Sequence, residues 1–184
     1  MIGNKKKNFS RSLLMGGLRN LALCALMTAL SIVCGKYLAF NAGPVMRFSF
    51  ENLPILLSGI VFGPLWGGLV GAVADLLGCV MVAYPINPLV TAGAVLIGVS
   101  GGVFYRLFAA LPQTVRLCGA VISAHLLGSL LVKTLGLAAY YDMPFYLLLL
   151  WRLLNYAIVG GVECFVLHFI FKNKSVRRLL EGVR

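Results

Sequence analysis

The chain has 184 residues, 60% of them hydrophobic and 11% charged, with a mean hydropathy of +0.95. Soluble domains are about 45–50% apolar and about 25% charged, so an ordinary water-soluble domain, a disordered chain and a secreted disulfide scaffold are excluded, and an integral membrane protein is left. Sixteen Lys and Arg against five Asp and Glu give +11, which in such a chain reads as loop charge that sets orientation rather than as a nucleic-acid surface.

In chain order, residues 1–17 form a basic tail that lacks the short apolar run and cleavage site of a signal peptide, and read as a retained cytoplasmic segment. A spanning helix needs about 20 mostly apolar residues. The sequence predicts six helices, over 18–40, 51–62, 65–82, 88–107, 116–138 and 145–171. Gly63-Pro64 splits the second from the third, because proline lacks an N–H and disfavours helix at the residue before it. Residues 84–88 and 140–144 are the other breakers. Helix 2 is short for a full span and is expected to tilt little or to start within a cavity. A basic tail, 172–184, closes the chain. The expectation is an all-α integral membrane bundle of six transmembrane helices, with one domain over 18–171. The five cysteines, none in a CxxC pair, read as small hydrophobes.

Sorting the basic residues fixes direction. Lys5, Lys6, Lys7, Arg11 and Arg19 lie before or at the start of helix 1, Arg106 and Arg116 flank the fourth link, and Lys172, Lys174, Arg177, Arg178 and Arg184 lie at the end. Six crossings put all twelve on one side, so both termini are expected to be cytoplasmic. Lys36, Arg47, Lys133 and Arg152 then fall in the outer half. Lys36 is close enough to the interface to snorkel, and Arg47 lies in the first outer loop. Lys133 and Arg152 lie deeper. A charge in the membrane is costly, which makes these two suspects for a polar, ligand-binding cavity.

Other polar residues are candidates on weaker grounds. Asp75, about two turns below the outer end of helix 3, either pairs with Lys133 or Arg152 or meets a ligand. Asn155 shares a helix face with Arg152. Tyr84 and Asn87, in the second outer loop, offer a stacking face and an amide, or simply an interfacial aromatic and a turn residue. His125 reads as a packing or hydrogen-bonding residue. Glu163 is expected to meet a cytoplasmic-side arginine or a partner protein, and Glu51 to cap helix 2. Stripes of small residues let helices approach closely in lipid: Ala22, Ala25 and Ala29 in helix 1, Gly67, Gly68, Gly71 and Gly78 in helix 3, and Gly98, Gly101 and Gly102 in helix 4. No Walker A, HExxH, GxSxG or Cys/His cluster with metal spacing occurs, so neither catalysis, a metal nor a cofactor is expected. The residues alone describe an outward-facing, partly cationic pocket for a small anionic or zwitterionic solute.

The stretch 53–78, LPILLSGIVFGPLWGGLVGAVADLLG, resembles the S components of energy-coupling factor (ECF) vitamin transporters, most of all the folate group, and Ala25-x-x-x-Ala29 resembles their helix 1 alanine motif. The resemblance implies a substrate-binding subunit of the bacterial cell membrane that is not itself an enzyme. It would capture a vitamin from outside, under the loops after helices 1, 3 and 5. It would dock through Ala22, Ala25 and Ala29 onto a membrane T component carrying two ATPase subunits, and topple in the membrane to release its cargo. Folate suits the candidates Arg47, Asp75, Tyr84, Asn87, Lys133, Arg152 and Asn155: its anionic glutamate tail fits the cations, its pterin edge fits the Asp75 carboxylate, and its flat face fits Tyr84, Phe48 or Trp151. The second outer loop departs from the family, with Tyr84-Pro85-Ile86-Asn87-Pro88 in place of a glycine-centred turn. That leaves another vitamin or precursor, such as hydroxymethylpyrimidine or a queuosine precursor, as the alternative ligand, and an autonomous channel as the alternative class.

Overall fold

A computed structural model of the chain describes residues 2–42, 46–141 and 143–173, with side chains over 17–40, 48–140 and 143–173. The elements in order are α1 (Ile2–Ile32), a π-helical continuation (Val33–Tyr37), β1 (Phe40–Ala42), β2 (Met46–Phe48), α2 (Asn52–Val61), α3 (Pro64–Met81), α4 (Pro88–Leu107), α5 (Gln113–Ala124), a second π-helical stretch (His125–Lys133), α6 (Thr134–Tyr141) and α7 (Phe145–Lys172). The fold is a helical bundle. Among the described residues five helical stretches are long and apolar enough to cross a membrane, α5 and α6 forming one continuous rod through the π stretch.

The breakers act where the sequence placed them. Gly63, at φ +114°, makes the corner between α2 and α3, a conformation glycine adopts without a Cβ penalty, and Pro64 opens α3. Pro88 opens α4 behind Asn87, whose side chain accepts from the Leu89 N–H at 3.0 Å. Two boundaries differ from expectation. Helix 1 reaches back to Ile2 instead of starting at 18, and it stops at Tyr37 instead of 40. There Phe40 pairs with Phe48 in a two-stranded antiparallel hairpin, their rings stacked 5.2 Å apart. Arg47 pairs with Asn41 through its backbone; its side chain, like Asp142 and the basic residues of 2–16 and 174–184, lies outside the described residues.

The helices are held by backbone contact. A Cβ on Gly98 would lie 2.1 Å from the Gly67 carbonyl oxygen, and one on Gly59 would lie 2.2 Å from that of Gly98. The glycine stripes of α3 and α4 therefore interlock, as their spacing predicts, and the single glycine of α2, Gly59, packs against both. The apolar core sits where α2 is enclosed by its neighbours, around Leu56, Ile60, Ile97, Leu117 and Val121.

α2 is the unusual element. Its ten residues span about 15 Å, half of a hydrocarbon core of about 30 Å. Pro54 through Val61 are all buried. Its far end turns at Gly63 beside the Arg106 guanidinium, and at its start Asn52 is buried while Glu51 is partly exposed. The short helix leaves a recess above it, on the side of the hairpin.

Candidate functional site

That recess is a cleft of about 280 Å³, open solvent included. α1 and its π continuation contribute Ser31, Ile32, Gly35 and Lys36; α2 gives Glu51 and Ile55; α3 gives Ala74 and Asp75; Ala94 comes from α4 and Lys133 from the second π stretch. Two cations and two carboxylates therefore line one small space inside an otherwise apolar protein. Both cations lie at or next to the end of a π-helical stretch. Such insertions re-aim the side chains after them, and they recur at functional sites.

Lys133 is the most buried of these four charges. It is only 4% exposed, and its Nζ donates to Glu51 Oε1 at 3.1 Å. A buried ammonium without such a partner would be strongly destabilising. Glu51 is thus no helix cap: its side chain makes no capping bond to α2, because the buried lysine claims it. Asp75 makes neither of the ion pairs considered for it. Its Oδ2 accepts from the Thr91 hydroxyl at 2.6 Å, which ties α3 to α4 at the cavity wall. Lys36 lies over Gly78, where a Cβ would meet its Cε at 2.9 Å, and its ammonium stands 5.6 Å from the centre of the Tyr84 ring, within cation–π range.

The remaining candidates are placed differently. Arg152 is not in the cavity wall. One guanidinium nitrogen, Nη2, donates to the Ser129 carbonyl and to the Tyr156 hydroxyl, each at 3.1 Å. The Ser129 carbonyl also accepts from Thr134 Oγ1 at 3.2 Å, so the π stretch presents it to two side-chain donors. Asn155 is buried one turn on. Asn87 donates its amide N–H to the Gly136 carbonyl at 2.9 Å while capping α4, so it builds the rim. Tyr84 is 58% exposed. Cavity residues therefore include Asp75 and Lys133 from the sequence candidates, with Tyr84 reached through Lys36; Arg152, Asn155 and Asn87 stand outside it.

Below the cavity lies a second buried polar group. Glu163, fully buried, places Oε2 2.6 Å from His125 Nε2, and His125 Nδ1 lies 3.1 Å from Ser129 Oγ. The His125 ring stacks on Tyr156 at 4.9 Å. Glu163 thus meets a histidine of the neighbouring helix, not an arginine of the cytoplasmic side. The contact uses only one carboxylate oxygen: Glu163 Oε1 is buried without a hydrogen-bond partner among the described residues.

Sequence reasoning missed Glu51 and Lys36 as cavity residues. A signal for Glu51 was present: a carboxylate opening a half-length helix must sit at depth, where a buried lysine needs an anion. The helix 1 stripe is also placed. Ala22, Ala25 and Ala29 are exposed, whereas Cys24, Thr28, Ser31 and Ile32 on the other side of α1 are buried against the bundle. The alanines do not serve the protein's own packing.

Residues 19–171 match the family model described as ECF transporter, substrate-specific component. The folate transporter FolT of Clostridium novyi (strain NT) is 30% identical over 151 residues, covering 80% of this chain and 85% of that protein. The crystal structure of FolT bound with folic acid matches with a TM-score of 0.67 at 25% identity, over 82% of this chain and 89% of that one. A structure of the S component of a bacterial ECF transporter matches with a TM-score of 0.62 at 18% identity, over 91% and 99% of the two chains, a likeness of fold.

Proposed function

We propose that folate is the cargo of this chain, which belongs to the family of substrate-specific components of ECF transporters. It is a multi-pass protein of the bacterial cell membrane, and its family binds substrate and does not catalyse. Its role is to capture the vitamin outside and hand it through a T component and an ATPase pair to the cytoplasm. The single observation that carries the folate reading is the likeness to FolT, 30% identical over 151 residues, in a chain whose cavity is lined by charges of both signs.

In this reading α2 is counted as a sixth, shortened span and both termini face the cytoplasm. The distribution of Arg106, Arg116 and the terminal basic residues supports that direction. Asp75 accepts N–H donors of the pterin, Tyr84 covers its flat face, and Arg47 or Arg152 turns to the anionic tail as the outer segments close. Lys133 is the buried cation of the pocket, and Asn155 and Asn87 support its wall and rim. The exposed Ala22, Ala25 and Ala29 face fits close docking of the T component, since small side chains let helix backbones approach.

The test is a titration of the purified chain with folate in the absence of ATP. Binding at micromolar ligand or below, read by quenching of Trp66 and Trp151, is the expected outcome, and no binding there sinks the folate assignment. One observation favours a second reading. The second outer loop, residues 84–88, departs from the glycine-centred turn of the folate group, which suits a different heterocycle such as hydroxymethylpyrimidine. Native mass spectrometry of the co-purified ligand separates the two.

A further inference from the structure

The ion pair Lys133–Glu51 is a single recognition element: we infer that the intact pair reads the lactam edge of the pterin ring, the adjoining ring carbonyl and N–H. This deepens the folate reading and rests on it. It also assigns Lys133 to the ring instead of to the glutamate tail.

Three observations lead there. The first is charge. Lys36 and Lys133 against Glu51 and Asp75 make the cavity lining formally neutral. A ligand carboxylate brought to Lys133 would arrive beside a carboxylate already 3.1 Å from the same ammonium, and would leave the lining with an uncompensated negative charge. Buried like charges are costly, and a buried charge that loses its partner is strongly destabilising. A neutral ring edge adds no charge. The second is hydrogen-bonding capacity. An ammonium has three donors and a carboxylate about four acceptor sites, so each can hold several partners at once. The pair displays a donor next to an acceptor, which complements a carbonyl oxygen next to an N–H. The third is rigidity. The Lys133 stem is confined by Gly93, where a Cβ would lie 2.4 Å from Lys133 Cγ, and the Glu51 carboxylate by Gly35, where a Cβ would lie 2.8 Å from Oε2. Glycine at both places lets the pair sit where it does, and a fixed pair discriminates better than two mobile side chains.

In this arrangement Lys133 Nζ donates to the ring carbonyl, Glu51 accepts from the neighbouring ring N–H, and the exocyclic amino group is left for Asp75 across the cavity. The doubly charged tail stays toward the rim, where water screens it.

The test uses ligands first, so that it does not depend on a variant folding. The purified full chain is titrated with folate, with pteroate, which lacks the glutamate, and with the 4-amino analogue of folate. In that analogue an amino donor replaces the ring carbonyl and the neighbouring ring nitrogen becomes an acceptor, which inverts the edge. The expected result is pteroate within about tenfold of folate and the 4-amino analogue weaker than folate by at least about 100-fold, since a site built around hydrogen bonds rejects mispaired edges strongly. Glu51→Gln then weakens folate and pteroate by the same factor. Equal or tighter binding of the 4-amino analogue overturns the proposal, because a lone carboxylate would hold that edge. So does a Glu51→Gln or Lys133→Gln loss confined to folate, which would return the pair to the tail. Both outcomes leave the folate reading standing. A chain that binds neither folate nor pteroate fails that reading, and this proposal with it.

Discussion

Gly93→Ala adds one methyl group where α4 faces the second π stretch, and the structure fixes what that methyl meets. The new Cβ would lie 2.4 Å from Lys133 Cγ and 2.8 Å from the Gly128 carbonyl oxygen, about 1 Å and about 0.6 Å short of ordinary contact. The lysine stem could yield alone, but the carbonyl is backbone, so α4 and the π stretch must part. Alanine gains up to about 1 kcal/mol of helix propensity over glycine, while overpacking costs about 1–3 kcal/mol. The net loss of stability is therefore at most about 3 kcal/mol, or up to about 12 °C in Tm for a chain of this size. Binding suffers more. Shifting Lys133 by about 1 Å breaks its 3.1 Å bond to Glu51, and a hydrogen bond to a charged group is worth about 1.5–3 kcal/mol, or about 10- to 150-fold in Kd. The assay is a folate titration by tryptophan quenching, with thermal unfolding in the same detergent. Gly161→Ala, where nothing lies within 4 Å of the added atom, is the control and should bind as the parent does. A Gly93→Ala chain that binds folate within twofold of the parent refutes the reasoning, because the lysine would then not be held where the ligand needs it.

His125→Leu leaves Glu163 buried without its partner and should cost about 3–5 kcal/mol, whereas His125→Leu with Glu163→Leu should recover most of that loss; thermal unfolding of the two singles and the double gives the coupling, and a double as unstable as the worse single argues against the pair. Arg152→Ala should weaken folate more than pteroate, by about tenfold in the ratio of their Kd values, if this guanidinium turns to the tail; equal losses for both ligands point to its role on the Ser129 carbonyl alone. Ala25→Trp should abolish co-purification with the T component while leaving the folate Kd of the isolated chain unchanged. An Ala25→Trp chain that still assembles removes the alanine face as the docking surface.

The helices were legible because their limits are local chemistry. Pro64 and Pro88 have no N–H to give, and α3 and α4 open on them. The glycine stripes were legible for a related reason, since a helix has 3.6 residues per turn and small residues at that spacing share a face. What failed was non-local. Glu51 and Lys133 are 82 positions apart, and neither residue's neighbours announce the other. His125 and Glu163, 38 apart, failed in the same way. The hairpin was missed because three-residue strands are too short to show alternation. The π stretches were missed because their register depends on what packs beside them. Lys133 was still worth singling out, because a lysine that deep must have a reason to be there; what the sequence withheld was its partner.

The charges of this protein sort by depth, and depth explains what each can do. At the far end Arg116 lies over the Tyr105 ring at 3.8 Å and donates to the Tyr105 carbonyl, a contact near water that fastens α5 to α4. In the middle, His125 closes on Glu163 and on Ser129 inside the bundle. In the recess above α2, by contrast, opposite charges border open space. That difference follows from one structural choice, a helix of half length. A full-length α2 would carry its first residue to the rim, where Glu51 would be more solvated and Lys133 would lose its ion-pair partner. Shortening it sinks the carboxylate to the level of the lysine and leaves vacant the volume the missing turns would fill. The pocket and the pair that reads its contents therefore have the same origin, and lengthening α2 by one turn should remove both together.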